Sequence, residues 1–441
     1  MDTTALLTDR YELSMLSASL ADGTAASSAV FEAFTRKRPN HSPVGVVAGI
    51  GRFLDLLDRF EFTSEVLDFL TREQVITDRA RVFLDGWRFS GNIDVYRDGE
   101  LYLPHSPVVT VTATVADALV LETLLLSVLN HDCTVATKAA RIVDAAGGIP
   151  LWELGSRRTH EQAAVAAARA CYLAGFAGTS NLQAGRDFGV PTAGTAAHAW
   201  TLVHDDGCGG PAAELEAFST QLGVFGADTT LLVDTYDVAG GVARALEAGR
   251  QTGVGPPAAV RIDSGDLAAT AIAVRDQLDA AGAADTRIIV SSDLDEWKVE
   301  ELRRRGAPVD VCGVGTRVVA GLEPAGFVYK AVEVDGNPVA KRSGNGKSSV
   351  GGRKTARRTT GRDGFEHTEV VGAPAEVAAA APDGRELQVP AVRDGVRVYP
   401  FSLEDDRDWH AEVRARVHPR TWQPHPAASD PLQLRWVPAA E

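Results

Sequence analysis

Seven short β-branched runs, each stopped by Gly, Ser, Thr, Asp or Arg, occupy the middle of this chain, at residues 150–158, 176–181, 190–200, 230–237, 258–266, 287–293 and 309–316. Longer stretches with helical apolar spacing separate them. That alternation predicts βα units wound into a parallel sheet. In such folds the polar residues at the carboxyl ends of the strands carry the chemistry. The array therefore predicts an α/β enzyme built on a β/α barrel, with seven strands located and an eighth unidentified.

The flanking segments read differently. Residues 11–20 have helical spacing, 29–34 are strand-like, 49–59 form a helix and 87–96 alternate as a strand. Helices are expected at 116–130 and 137–146, the second ended by Gly147 and Gly148. Crossover helices are expected at 163–174, 214–221, 241–250, 267–281 and 296–306. After the last run, 327–334 and 337–341 read as a hairpin about Asp335 and Gly336. The resulting domain plan is an α+β domain over 1–115, the barrel over 116–326, and a return to the first domain plus a tail over 327–441, with a strand at 389–398 and a Pro-rich end at 419–431. No repeat of fixed length is present.

Composition narrows the classes. At 441 residues, 45% hydrophobic, the chain can bury a large core and is long enough for two domains. Lys and Arg number 44 against 59 Asp and Glu, a net charge of -15, which disfavours a nucleic-acid partner. Cys133, Cys171, Cys208 and Cys312 are far apart with no C-x-x-C, so neither a zinc site nor a disulfide framework is expected, and a reducing cytoplasm fits. The first nine residues hold two aspartates and no signal-peptide core, and no apolar run of about 18 residues occurs, so no membrane association is expected.

Several strand ends carry candidate chemistry. Gly313-Val314-Gly315-Thr316 closes the last run, and its glycines would let backbone N–H groups approach a phosphate. In Arg261-Ile262-Asp263-Ser264-Gly265-Asp266, alternation sends Arg261 and Asp263 to one side, and Asp266 is placed to cap the next helix. An Arg–Asp pair is also a common structural ion pair, so the functional reading is an anion-binding Arg beside an Asp for ribose hydroxyls or Mg²⁺. Ser291-Ser292-Asp293 repeats that pattern one strand later. His198 follows Gly194 and Thr195 at a strand end, where an imidazole can act as acid, base or nucleophile. Arg157 and Arg158, the turn Thr179-Ser180-Asn181, and Lys138 with Arg141 are further polar candidates that elsewhere are ordinary surface groups. Gly346-Lys347-Ser348 is no Walker motif, because the first glycine would fall on Lys341; with Arg353 and Lys354 it could form a basic flap over phosphates.

Taken in order, Leu6 through Leu13, Phe31-Glu32-Ala33-Phe34 with Arg36, Asn130 with Ala136 through Arg141, Glu153 through Arg158, Gly178 through Asn181, Gly194 through Trp200, Val233 through Asp237, Arg261 through Leu267 and Gly313 through Thr316 resemble nicotinate phosphoribosyltransferase. The resemblance implies an irregular type II phosphoribosyltransferase barrel with a discontinuous α+β domain. It implies transfer of phosphoribose from 5-phosphoribosyl 1-pyrophosphate to nicotinate, the first step of NAD salvage from nicotinate, coupled to ATP through a phosphorylated histidine matched by His198. On the same footing His198, Arg261 and Asp263 are the catalytic set. Tyr11, Thr195, Arg261, Ser180 and Arg157 would surround nicotinate, with Arg261 on its carboxylate. Thr316, Gly313, Gly315, Asp293, Ser264 and Lys138 would hold phosphoribosyl pyrophosphate. Mg²⁺ would arrive on the substrate phosphates, with Asp263 the candidate carboxylate, and a homodimer would bring Tyr11 from the second subunit.

Nicotinamide phosphoribosyltransferase is the runner-up, but that family carries an aspartate where this chain has Ser180, and an acid there would repel a carboxylate substrate. A phosphosugar aldolase or isomerase would share the phosphate loop, yet it needs a Schiff-base lysine or a paired acid and base, and Glu153 is the lone well-placed candidate. A catalytically idle binding protein is opposed by intact His198, Arg261, Asp263 and Thr316. Two departures from the family pattern, His131-Asp132-Cys133 and Ala199, bear on ATP coupling.

Overall fold

The computed structural model describes residues 3–38, 42–205, 210–342, 349–422 and 431–438. Cys208 and Gly346-Lys347-Ser348 lie outside these described residues, as does most of the Pro-rich end. The chain divides into two compact units, 1–137 with 323–441, and 138–322.

In the first unit a seven-stranded sheet has Ser28–Thr35 as an inner strand, antiparallel to Phe327–Val334 on one side and to the central strand Val109–Thr114 on the other. Asn92–Tyr96 and Gln388–Arg393 extend it. The hairpin turn is where expected, with Asp335 at φ 48° and Gly336 at φ 77°. The expected strand at 87–96 begins only at Asn92, because Trp87 turns into the core, donating from Nε1 to Asp117 at 2.7 Å and meeting Phe60 and Phe62 edge-on.

The two helices expected at 116–130 and 137–146 are instead a short helix, Val115–Leu119, and one 25-residue helix, Glu122–Ala146. The polar break at 131–134 does not interrupt it. Asp132 is fully buried but is gripped by Arg52 through two bonds of 2.8 and 2.9 Å, and Thr134 donates to Asn130 O. Residues 116–133 pack in the core of the first unit rather than with the barrel, so the unit boundary lies beyond residue 115, at 137. The segment Val115–Ala146 is long and apolar enough to cross a membrane by length and composition, but most of it is buried in the fold.

A second sheet, of four strands, was not legible in sequence: Arg385–Glu386, Thr355–Thr360, Glu366–Gly372 and Gln433–Trp436. Arg358 sits in it wholly buried, bonded to Glu100 and Glu369 at 2.7 Å each.

The second unit carries a six-stranded parallel sheet in the order Gly178–Thr179, Leu151–Glu153, Val311–Val314, Arg287–Val290, Ala259–Ile262, Thr230–Leu232. The run at 190–200 contributes only a parallel bridge from Thr192 to Thr179, and His198 already begins a helix, His198–Leu202. No ladder joins Thr192 to Thr230–Leu232 among the described residues, so the barrel is open there, and Pro211–Phe225 supplies cavity-lining side chains. Crossover helices are rich in Ala and Gly, which lets them approach the strands closely. A Cβ on Gly241 would lie 2.0 Å from Val233 O.

Candidate active site

Strand register places the central groups. Leu232, Arg261, Ile289 and Val311 lie side by side across four parallel strands. Two residues further along, on the same faces, come Asp234, Asp263, Ser291 and Gly313. Of these two rows Arg261, Ile289, Val311 and Gly313 line one cavity of about 980 Å³, together with Trp152, Leu154 and Thr195.

Arg261 is held from three sides. Its Nε donates to Ser291 Oγ at 2.9 Å, one Nη donates to Thr195 Oγ1 at 3.0 Å, and the other lies 3.5 Å from Asp263 Oδ1. Ser291 in turn donates to Asp263 Oδ1 at 2.6 Å. A guanidinium fixed in this way is a rigid fork for a planar anion. After Ser291 the chain runs through Ser292 at φ 106° and Asp293 at φ 39°, two successive left-handed residues that are not glycine, and such strain clusters at functional turns.

His198 belongs to the same network. Its Nδ1 is 3.1 Å from Thr235 Oγ1, and its Nε2 is 3.8 Å from Asp234 Oδ1. The other oxygen of Asp234 accepts from Asp263 N at 3.0 Å and Ser264 Oγ at 2.7 Å. Asp234 is almost fully buried and its Oδ1 has no hydrogen-bond partner, so it confronts the imidazole with its charge. Asp234 and Thr235 have no role assigned from sequence, and Glu153 has one only as the lone acid an aldolase or isomerase could use. Asp234 carries the signal that could have found it, an acid at the end of a short apolar run, as at Asp263.

Glu153 ties two turns together. Buried beside Cys171, its carboxylate accepts from Thr179 Oγ1 at 2.5 Å and from Gly155 N, while its backbone carbonyl accepts from Ser180 N at 2.9 Å. Burial pushes this carboxyl above the usual carboxylate range, and the Thr179 and Gly155 donors oppose that. Asn181 Nδ2 donates to Ser156 Oγ at 3.0 Å, adding a second tie. The turns so joined carry Ser180, half-buried, and Arg157, exposed on the short 3₁₀ segment Ser156–Arg158.

The remaining expected residues are placed as follows. Asp266 caps the helix Leu267–Ala280, accepting from Ala269 N, and pairs with Arg305. Thr316 opens a four-residue helix after Gly315, and Asp293 is exposed. Gly313 lies within a strand, where a Cβ would fall 2.5 Å from Leu154 Cδ1, so packing against Leu154 requires glycine there. Lys138 is not among the cavity-lining residues; its ammonium is paired with buried Glu296, which Arg141 also contacts at 3.3 Å. Tyr11 lies in the first unit, exposed on the helix Arg10–Asp22. Ala199, one of the two departures, is exposed beside His198.

Among the described residues no group of three or more His, Cys, Asp or Glu could hold a metal. Asp263 with the unpartnered Oδ1 of Asp234 offers the one or two carboxylates that Mg²⁺ takes when phosphates and water fill its other positions.

Residues 6–130 match the model of the nicotinate phosphoribosyltransferase (NAPRTase) N-terminal domain. Nicotinate phosphoribosyltransferase pncB1 of Mycobacterium tuberculosis is 50% identical over 408 residues, 91% of this chain and 88% of its own. The Bacillus subtilis nicotinate phosphoribosyltransferase is 36% identical over 371 residues, 81% of this chain and 73% of its own. The crystal structure of human nicotinic acid phosphoribosyltransferase superposes with a TM-score of 0.83 at 25% identity, covering 97% of each chain.

Proposed function

The chain belongs to the nicotinate phosphoribosyltransferase family, and from that premise we propose that it forms nicotinate mononucleotide and pyrophosphate from nicotinate and 5-phosphoribosyl 1-pyrophosphate, coupled to ATP through phosphorylation of His198. The observation that carries this reading is Arg261, a cation held rigid by Ser291 and Thr195 in a cavity with apolar walls. A flat aromatic acid fits there with its carboxylate on the guanidinium.

In the proposed reaction the ring nitrogen of nicotinate attacks the anomeric carbon as the bond to pyrophosphate breaks, and pyrophosphate leaves with the electron pair. Little proton transfer is needed, so the protein contributes positioning and charge. Arg261 and Thr195 orient the base, the turns tied by Glu153 present Ser180 and Arg157, and Gly315 and Thr316 supply groups for the 5-phosphate. Asp293 and Ser264 stand at neighbouring strand ends for the rest of phosphoribosyl pyrophosphate. Bound Mg²⁺ would neutralise the phosphates and favour departure of pyrophosphate.

His198 has the setting of a phosphoryl acceptor. A carboxylate facing Nε2 favours the proton on that nitrogen, which leaves the Nδ1 lone pair, touched by Thr235, as the nucleophile. The half-exposed ring is open to ATP. The added phosphoryl charge would lie within the same network as Arg261 and Asp263. We place the enzyme in the cytoplasm as a homodimer in which Tyr11 of a second subunit completes the nicotinate site.

The test is product formation with phosphoribosyl pyrophosphate and Mg²⁺, comparing nicotinate with nicotinamide, with and without ATP, in the native protein and in His198→Ala. Product from nicotinate, raised by ATP in the native protein alone, is expected. Preference for nicotinamide would overturn the reading of Ser180 and Arg261, and an equal ATP effect in His198→Ala would overturn the phosphohistidine.

A further inference from the structure

The cavity holding Arg261 continues past it toward the amino-terminal ends of the strands. Register fixes this. Thr230, Ala259 and Arg287 form one row across three parallel strands, two residues before the row of Leu232, Arg261 and Ile289. The two rows are therefore separated by about 6.6 Å along the strands. Thr230 and Arg287 line the same cavity as Arg261 and Thr195.

This amino-terminal end of the cavity, more exposed than the Arg261 site, has its own recognition groups. The exposed Arg287 guanidinium has neither a hydrogen bond nor an ion pair among the described residues, in contrast to the thrice-held Arg261. Gln221, on the helix Pro211–Phe225, is 9% exposed, and its Nε2 donates to Thr230 O at 3.1 Å. Gln221 is among the cavity-lining residues, and its Oε1 is buried without a partner in the fold. Next to Arg287 the row carries Ala259 and then Thr230, and Ile289, Val311 and Phe225 provide apolar walls. Asp228 is the one carboxylate in the lining, against two guanidinium groups, and it does not pair with Arg287.

We propose that this end of the cavity is a second ligand subsite, for a small aromatic or heteroaromatic carboxylate whose acid group meets Arg287 and whose ring lies against Ile289, Val311 and Phe225. The chemistry repeats that of the Arg261 site one row nearer the amino-terminal strand ends, and it requires no phosphoribosyl transfer. One nicotinate on Arg261 and a second acid on Arg287 can then occupy the same cavity.

Equilibrium dialysis of labelled nicotinate against the full-length protein, without phosphoribosyl pyrophosphate, counts the bound molecules per chain. Two are expected in the native protein. Arg287→Gln should weaken one of them by roughly tenfold or more, the loss of a charged hydrogen-bonded partner, and Arg287→Lys should restore part of it. Arg261→Gln should weaken the other and leave the Arg287-dependent molecule bound. One molecule per chain, or none, with no response to Arg287→Gln overturns the inference. Failure of the proposed reaction reads out separately, as absent mononucleotide in an otherwise identical sample, and Arg287-dependent binding in such a protein would still support the subsite.

Discussion

Arg261→Gln isolates the interaction on which substrate choice is argued to rest. Glutamine keeps a polar group of similar reach but removes the charge and the two-toothed fork. The Arg261 side chain is only 16% exposed, so solvent does little to screen its pairing with a bound carboxylate. Hydrogen bonds to charged groups contribute about 1.5–3 kcal/mol each. Without the guanidinium the substrate carboxylate would also face Asp263, 3.5 Å from the lost Nη, with no cation between them. The upper end of the range therefore applies, about 3 kcal/mol, or roughly 150-fold in kcat/KM for nicotinate. Nicotinamide carries no charge there and should change far less. Arg261→Lys restores the charge but cannot donate to Ser291, Thr195 and substrate together, so it should recover only part of the loss. The assay is steady-state mononucleotide formation with both bases, with thermal denaturation to confirm that each variant is folded. A loss below about threefold, or equal losses for the two bases, would refute the assignment of Arg261 to the carboxylate.

Three further outcomes are expected. Asp234→Asn keeps the shape of the side chain but removes the charge 3.8 Å from His198 Nε2; at about 1–2 kcal/mol for a half-exposed pair, the ratio of turnover with ATP to turnover without it should fall roughly tenfold, and an unchanged ratio would count against the pairing. Glu153→Ala leaves the donors of Thr179 and Gly155 buried without acceptors, which should cost about 2–5 kcal/mol in urea unfolding and raise KM for nicotinate, while Glu153→Gln, able to serve one donor, should cost less than half as much. Burial pushes Glu32 up to about 7 despite its pairing with Lys354. Its folded value thus exceeds its unfolded one, so its contribution to stability is complete below about 4.5 and is lost as pH rises toward 7, by at most about 3 kcal/mol. Glu32→Gln should flatten the unfolding free energy over that window, and a slope equal to that of the native protein would sink the argument.

Local pattern was enough for the parallel strands and most of the helices that return the chain between them, because both rest on the spacing of apolar residues within a single segment. The same holds for the Asp335-Gly336 hairpin turn and for the cap at Asp266, which need only nearby backbone. Arg261 and Asp263 could be placed on one face from alternation alone, and His198 could be placed at a strand end. Where reading failed, the missing information was a partner distant in sequence. Arg358 looks like a surface charge until Glu100, more than 250 residues earlier, meets it inside the first unit, and the strand that carries it was hidden for that reason. Asp132 looks like a helix break until Arg52 neutralises it. Lys138 looks available for a phosphate until Glu296 takes its charge. Apolar periodicity belongs to a segment and is legible in it, whereas the fate of a charge depends on what the fold brings within about 4 Å, and only the tertiary structure decides that.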